Sequence, residues 1–413
     1  MGLNETPSGE RTHIGFFGVR NAGKSSVVNA VTGQELSVVS EVRGTTTDPV
    51  RKAMELLPLG PVVIVDTPGV DDEGALGARR VERARRALAT CDVAVLVVDG
   101  ARGLSEADRA LLSAIEGRGV PYVVAWNKCD LPAARAALAA LAEKDPALVA
   151  RTVAVSARTG EGVRELKERL ARVVPVGTSR RVVADLVPAG SAVVLVCPID
   201  ASAPRGRLIL PQQLVIRDLL DAGCVSVTCR ETELSRALDA LVGPPALVVT
   251  DSQVFGPVSR IVPADVPLTS FSILMLRYKG DLVSAVAGAA ALDRLRDGDR
   301  VLVSEGCTHH RQCEDIGTVK LPAWLSAHTK AKLELAFTSG ADFPEDLTPF
   351  SAVVHCGGCT LTAREMRARQ ARAEAQGVPM TNYGVAIAHM HGILRRSLAP
   401  FPEALAALDA TGE

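Results

Sequence analysis

Ile14-Gly15-Phe16-Phe17-Gly18-Val19-Arg20-Asn21-Ala22-Gly23-Lys24-Ser25-Ser26 decides the fold of the first part of this chain. An apolar run leads into Gly18, and Gly18-x-x-x-x-Gly23-Lys24-Ser25 has the spacing of a phosphate-binding loop between a strand and a helix. Its glycines let the backbone N–H groups around Asn21, Ala22 and Gly23 curl about phosphate oxygens. The following helix N-terminus, with Ser25 and Ser26 in its first turn, adds partial positive charge. Lys24 is expected to neutralise the β- and γ-phosphates, and the Ser25 hydroxyl to ligate Mg²⁺.

Further motifs follow in the order such a site requires. Thr45-Thr46-Thr47 suits a loop closing on Mg²⁺ and the γ-phosphate, with Thr47 as the closing residue. In Asp66-Thr-Pro-Gly69, Asp66 can hold the metal's water shell and Gly69 can offer its N–H to the γ-phosphate. Asn127-Lys128-Cys-Asp130 ends a later apolar run, and Ser156-Ala157 completes a base pocket. An aspartate at 130 accepts both N1–H and a 2-amino hydrogen from guanine. Adenine offers neither donor, so it would leave the carboxylate unpaired. GTP with Mg²⁺ is the expected ligand, and GTP hydrolysis the expected reaction, with Lys24, Thr47, Asp66 and Gly69 as its catalytic set.

Outward from the loop, apolar β-branched runs alternate with amphipathic stretches. Strands are expected at 13–18, 61–66, 93–99, 122–127 and 152–156, and helices at 24–31, 79–89, 106–116, 133–144 and 163–173. Alternation of this kind means βαβ units on a mostly parallel sheet. A Pro/Gly-bearing linker at 174–181 leads to a second α/β segment with strands at 192–197, 224–228 and 246–250. A third region mixes helices with strands at 300–304 and 351–355. The fold class is α/β throughout: a P-loop domain over 1–175, a small domain over 176–266, and a C-terminal domain over 267–413.

Composition supports a globular chain of 413 residues: 47% hydrophobic, 23% charged, and a formal net charge of −1. That balance gives no global electrostatic case for nucleic acid or anionic lipid. The polar N-terminus lacks the apolar core of a signal peptide, and no apolar run is long enough to span a membrane. A cytoplasmic protein is expected. Nine cysteines in a reducing compartment make a disulfide framework improbable. Arg79, Arg80, Arg83, Arg85 and Arg86 crowd one stretch, as a solvated helix face or as a docking surface that senses nucleotide state.

Cys307, Cys313, Cys356 and Cys359 lie in the last part of the chain, with six of the seven histidines. Cys307-Thr-His309 and His355-Cys356-Gly-Gly-Cys359 each follow an expected strand. The two glycines let the backbone fold both sulfurs toward one ion, and parallel pairing of the strands would bring in Cys307. Thr362-Ala-Arg-Glu365 reads as a capping box opening a helix beside the site. A Cys₃His zinc site and a [4Fe–4S] cluster with one weakly held iron both fit this ligand set. Cys313 is a further soft group close by, expected to be structural. His389 and His391 read as packing or hydrogen-bonding residues.

Residues 11–175 resemble the translation-factor-type GTPases, in particular their tRNA-modifying, potassium-stimulated branch. The resemblance implies that Asn21 ligates a K⁺ ion standing in for an arginine finger. Val70 occupies the position where Ras-like enzymes carry a water-orienting glutamine. Across nearly the whole chain, Cys307-x-His309, a gap of 45 residues, His355-Cys356-x-x-Cys359 and Pro379-Met-Thr-Asn-Tyr383-Gly together resemble the HydF family of [FeFe]-hydrogenase maturation GTPases. The gap is slightly shorter than the family's usual one. The resemblance implies a dimerisation domain over 176–266 and an iron–sulfur domain over 267–413. Within it Cys307, Cys356 and Cys359 hold a [4Fe–4S] cluster, with His309 as a labile or missing fourth ligand, His355 as a secondary candidate, and Cys313 able to replace His309. It further implies a homodimer that receives a diiron precursor, works with radical-SAM maturation enzymes, and delivers to apo-[FeFe]-hydrogenase. The competing reading is an RNA- or ribosome-associated GTPase with a structural zinc domain. Residues 266–413 carry 15 Lys/Arg against 16 Asp/Glu, not the basic face such a partner calls for.

Overall fold

A computed structural model of the chain describes residues 6, 8–34, 50–67, 87–174, 181–199, 208–306, 316–340 and 342–410. The chain forms two compact units, Met1–Thr178 and Ser179–Glu413.

The first unit is built on β1 (Thr12–Phe17), α1 (Lys24–Thr32), β2 (Val50–Leu56), β3 (Gly60–Asp66), β4 (Val93–Asp99), α2 (Glu106–Gly117), β5 (Tyr122–Asn127), α3 (Pro132–Lys144), β6 (Thr152–Ala154) and α4 (Val163–Val173). Its strands lie in the order β2-β3-β1-β4-β5-β6. All neighbours are parallel except β2 and β3. Every residue of β4 is buried, as expected for a central parallel strand covered on both faces. Separate apolar clusters line the two faces of the sheet, one around Leu96, Val124 and Trp126, the other around Val95, Val123 and Leu166. The sheet delivers the C-terminal ends of β1, β3 and β5 to one edge, where open α/β sheets place their ligands. Sequence reading missed β2: it is an edge strand whose Arg51, Lys52 and Glu55 are exposed, so no apolar alternation marks it. Of the helix expected at 79–89, only its end falls within the described residues.

The second unit contains β7 (Ala192–Val196), α5 (Leu210–Asp221), β8 (Val225–Cys229), β9 (Leu247–Thr250), β10 (Leu268–Ser270), α6 (Phe271–Lys279), α7 (Leu282–Ala289), β11 (Arg300–Glu305), α8 (Leu321–Thr329), β12 (Glu334–Ser339), β13 (Ala352–His355), α9 (Ala363–Ala375), β14 (Met380–Asn382) and α10 (Tyr383–Met390). It holds two four-stranded sheets, β10-β9-β7-β8 and β12-β11-β13-β14, each wholly parallel. One apolar core, including Leu195, Leu274, Val353 and Met380, runs through both. The buried helix α6 packs against α5 and also against α9 and α10, and so ties the sheets together. The expected division at 266/267 falls just before β10, which pairs back to β9. The pairing of β11 with β13 is parallel, in the register Ser304↔His355. Among the described residues, no helix is long and apolar enough to cross a membrane.

Candidate functional site

At the phosphate loop, Gly23 caps α1 with φ 84° and Asn21 is also left-handed, at φ 66°. The loop is braced from β5. Asn127 donates through Nδ2 to the Ala22 carbonyl at 3.0 Å and accepts at Oδ1 from the Ala157 N–H at 3.1 Å. A Cβ on Gly23 would stand 2.3 Å from Asn127 Nδ2. One side chain thus joins the phosphate loop to the base pocket. Lys128 donates to the Asn21 carbonyl at 3.1 Å and to Asp99 at 2.6 Å. Sequence reasoning missed Asp99; its signal was an acidic residue closing the apolar run of β4.

Lys24 is nearly buried, and its ammonium is held by the Asp66 carboxylate and the Thr67 carbonyl. The charge meant for phosphate is therefore stored against the end of β3, beside the expected Mg²⁺ site. Thr67 donates through its hydroxyl to the Phe16 carbonyl at 2.7 Å, fixing the turn after β3. Ser25 and Ser26 are exposed in the first turn of α1. Asp130 accepts from the Ser156 hydroxyl at 2.7 Å and from the Arg158 guanidinium. The Ser156 hydrogen bond first, and the Arg158 charge after it, hold its carboxyl below the usual range. Arg158, a residue the sequence reading passed over, supplies N–H donors to the same carboxylate that guanine would engage. Thr47 and Gly69 lie outside the described residues, as do Val70 and all five arginines of the arginine-rich stretch.

The second site begins where β11 and β13 end side by side. The Cys356 N–H bonds the Ser304 carbonyl at 2.9 Å, continuing the ladder one residue past β13. The Cys356 sulfur then accepts from the N–H of Gly306 at 3.0 Å and of Gly358 at 3.4 Å. Gly358 is left-handed at φ 62°, which turns the loop between the cysteines. Lys279, only 1% exposed at the end of α6, donates to the carbonyls of Cys359 and Leu361, both at 2.8 Å. The loop thus presents amide donors to one sulfur and is tied through its carbonyls to a buried ammonium. These are surroundings that suit a soft, thiolate-bound metal centre. Cys307, His309 and Cys313 lie outside the described residues; Gly306, which precedes Cys307, already touches the Cys356 sulfur.

His355 is completely buried. Its Nδ1 donates to the Cys356 carbonyl at 2.8 Å, and its Nε2 accepts from Arg369 at 3.0 Å. Both ring nitrogens are spent, so the geometry removes His355 from the candidate metal ligands. Burial, and then the Arg369 charge, push its pKa down to about 3, so the ring is neutral. Arg369 also binds Glu365 at 2.6 Å and the Gly340 carbonyl at 2.7 Å. Thr362 caps α9 by accepting from the Glu365 N–H at 3.1 Å. The other arm of the expected capping box is diverted, because the Glu365 carboxylate goes to Arg369.

The first unit has the sheet, loop and base-pocket residues of a P-loop GTPase. Residues 13–128 match a family model described as 50S ribosome-binding GTPase. Residues 182–280 match the hydrogen maturase F dimerization domain, and residues 283–400 its tetramerization domain. The chain belongs to the HydF family of hydrogenase maturation GTPases. Its α/β architecture is a P-loop GTPase domain followed by dimerization and tetramerization domains. An assembly role for the cysteine-bearing region was not part of the sequence reading.

Other GTPases match part of the chain. The tRNA modification GTPase MnmE of Desulfotalea psychrophila is 38% identical over 156 residues, which is 37% of this chain and 32% of that protein. GTPase Der of Kosmotoga olearia is 35% identical over 123 residues, 29% of this chain and 28% of its own length. The chain thus spans about a third of the length of these curated relatives. Among solved structures, a probable GTP-binding protein engB is 25% identical with a TM-score of 0.33, over 40% of this chain and 98% of its own. The G domain of T. maritima FeoB is 24% identical with a TM-score of 0.32, over 40% and 99%.

Proposed function

We propose that this chain is a cytoplasmic GTPase scaffold that receives a diiron precursor and delivers it to apo-[FeFe]-hydrogenase, with nucleotide state setting when partners bind and leave. In the first unit, Lys24 leaves Asp66 and Thr67 for the β- and γ-phosphates. Asp66 is then free to hold the water shell of a Mg²⁺ bound by Ser25. Asp130 exchanges Arg158 for guanine. Thr47 and Gly69 close on the γ-phosphate, and its loss on hydrolysis releases them. Asn21 holds a K⁺ ion at the phosphates. GTP hydrolysis is expected to run about tenfold or more faster in KCl than in NaCl, given the charge an arginine finger supplies elsewhere. Equal rates in the two salts would remove that role from Asn21.

In the second unit, Cys307, Cys356 and Cys359 would hold a [4Fe–4S] cluster with His309 as an exchangeable fourth ligand. Such a cluster presents one iron to a replaceable ligand, the chemistry that accepting and releasing a diiron cargo calls for. The chain's own residues prepare the place. Gly306 and Gly358 donate to the Cys356 sulfur, and Lys279 holds the loop through the carbonyls of Cys359 and Leu361. The observation that carries this reading is the Gly306 N–H on the Cys356 sulfur, which sets the chain entering Cys307 against the Cys-x-x-Cys loop. A homodimer working with radical-SAM maturation enzymes completes the proposal.

Anaerobic reconstitution with iron and sulfide tests it. A brown protein whose colour is lost in Cys356→Ser, and which activates apo-hydrogenase after loading with precursor, is the expected result. A colourless protein holding one zinc through the same cysteines overturns it and favours a structural zinc domain.

A further inference from the structure

Away from both sites, three side chains from separate segments converge. Asp293 lies in the single turn Ala290–Arg294 after α7, His328 near the end of α8, and His389 in the last turn of α10. His328 Nε2 is 2.5 Å from Asp293 Oδ1, and His389 Nε2 is 3.0 Å from both Oδ1 and Oδ2. The two imidazoles meet edge to face, with centroids 5.4 Å apart. All three ligand atoms lie within 4.8 Å of one another. Side-chain exposure grades from 7% at His389 through 24% at His328 to 43% at Asp293, so the cluster opens to solvent on one side.

A surface His–Asp ion pair needs one imidazole. Here two point their Nε2 atoms at one carboxylate, from helices set in place by the core around Leu321, Leu325 and Ile387. Two imidazoles and a carboxylate are the donor set of borderline divalent ions. Ligand bonds of about 2.0–2.2 Å place donor atoms roughly 3.3 Å apart around a tetrahedral centre, a small expansion of the contacts present here. The carboxylate already sits between the two nitrogens. An entering ion would displace the Nε2 protons and inherit the existing alignment.

We propose that Asp293, His328 and His389 form a mononuclear site for a borderline divalent cation such as Zn²⁺ or Co²⁺, with water completing its coordination at the exposed side. The ion clasps the 290–294 turn, α8 and α10. Nothing in this site depends on the cysteines, so it stands or falls separately from the cluster reading.

Co²⁺ titration of the full chain, as wild type and as Cys356→Ser, tests the proposal. The expected result in Cys356→Ser is one equivalent bound with visible ligand-field bands and no sulfur-to-metal charge transfer, the same bands being present in wild type. That signal should vanish in His328→Ala and His389→Gln. In Asp293→Asn, whose exposed side chain keeps its shape, affinity should fall about 10–100-fold. The thermal midpoint of the second unit should rise with Co²⁺ in wild type and stay unmoved in His328→Ala. The proposal is overturned if Cys356→Ser shows no stoichiometric cobalt, or if the nitrogen/oxygen-type bands persist in both histidine variants.

Discussion

Asp130 shows how one carboxylate can be poised for a base that is not yet there. Its oxygens are held by Ser156 and Arg158, so it is ionised and oriented before guanine arrives. Asp130→Asn turns one acceptor into a donor facing guanine's own donors. Affinity for GTP is expected to fall about 100-fold, the scale of an unpaired polar contact in a closed pocket. Xanthosine triphosphate, with a carbonyl in place of the 2-amino group, should regain most of the loss in a competition assay. At this scale short-range spacing was enough to single out Lys24, Asn127 and Asp130 as candidates. It was silent where partners meet across the sheet. Asp99 bonds Lys128 from a different strand, and Lys279 reaches the Cys359 carbonyl across 80 positions of chain. No local pattern encodes either meeting.

Two elements hang on single residues. In α1 and its loop, Gly23 is left-handed and has no room for a Cβ beside Asn127. Gly23→Ala is expected to destabilise the first unit by about 1–3 kcal/mol, from backbone strain. It should also abolish nucleotide binding, as fluorescent-GDP titration and thermal melts would show. In the β13–α9 element, Arg369 is 4% exposed and joins His355, Glu365 and the Gly340 carbonyl, with its guanidinium 5.0 Å from the Phe343 ring centroid. Arg369→Leu strands a buried carboxylate, for which the expected cost is about 3–5 kcal/mol. Removing the stranded charge with Glu365→Gln in the same chain should recover part of it, measured by denaturant unfolding. Elements were readable in proportion to their burial. The apolar runs of β4, β5, β11 and β13 announced themselves. By contrast β10 and β14 are only three residues each, and β12 is a half-exposed edge strand.

For the whole molecule, charge and composition excluded broad classes, and the two motif sets carried the family assignment. The one continuous core of the second unit was not legible, because it depends on α6 packing toward both sheets rather than on any periodicity. That helix has a further consequence. Lys279 lies within the segment matched by the dimerization domain, while the cysteine loop it supports lies in the segment matched by the tetramerization domain. A gene fragment beginning at residue 283 would encode Cys356 and Cys359 yet leave behind the prop under their loop. Its iron content after reconstitution is expected to fall well below that of the intact chain, and Lys279→Met in the full-length protein should reproduce the deficit. The border between these two family segments is a reading convenience: in the folded protein a single lysine is mortar between two bricks.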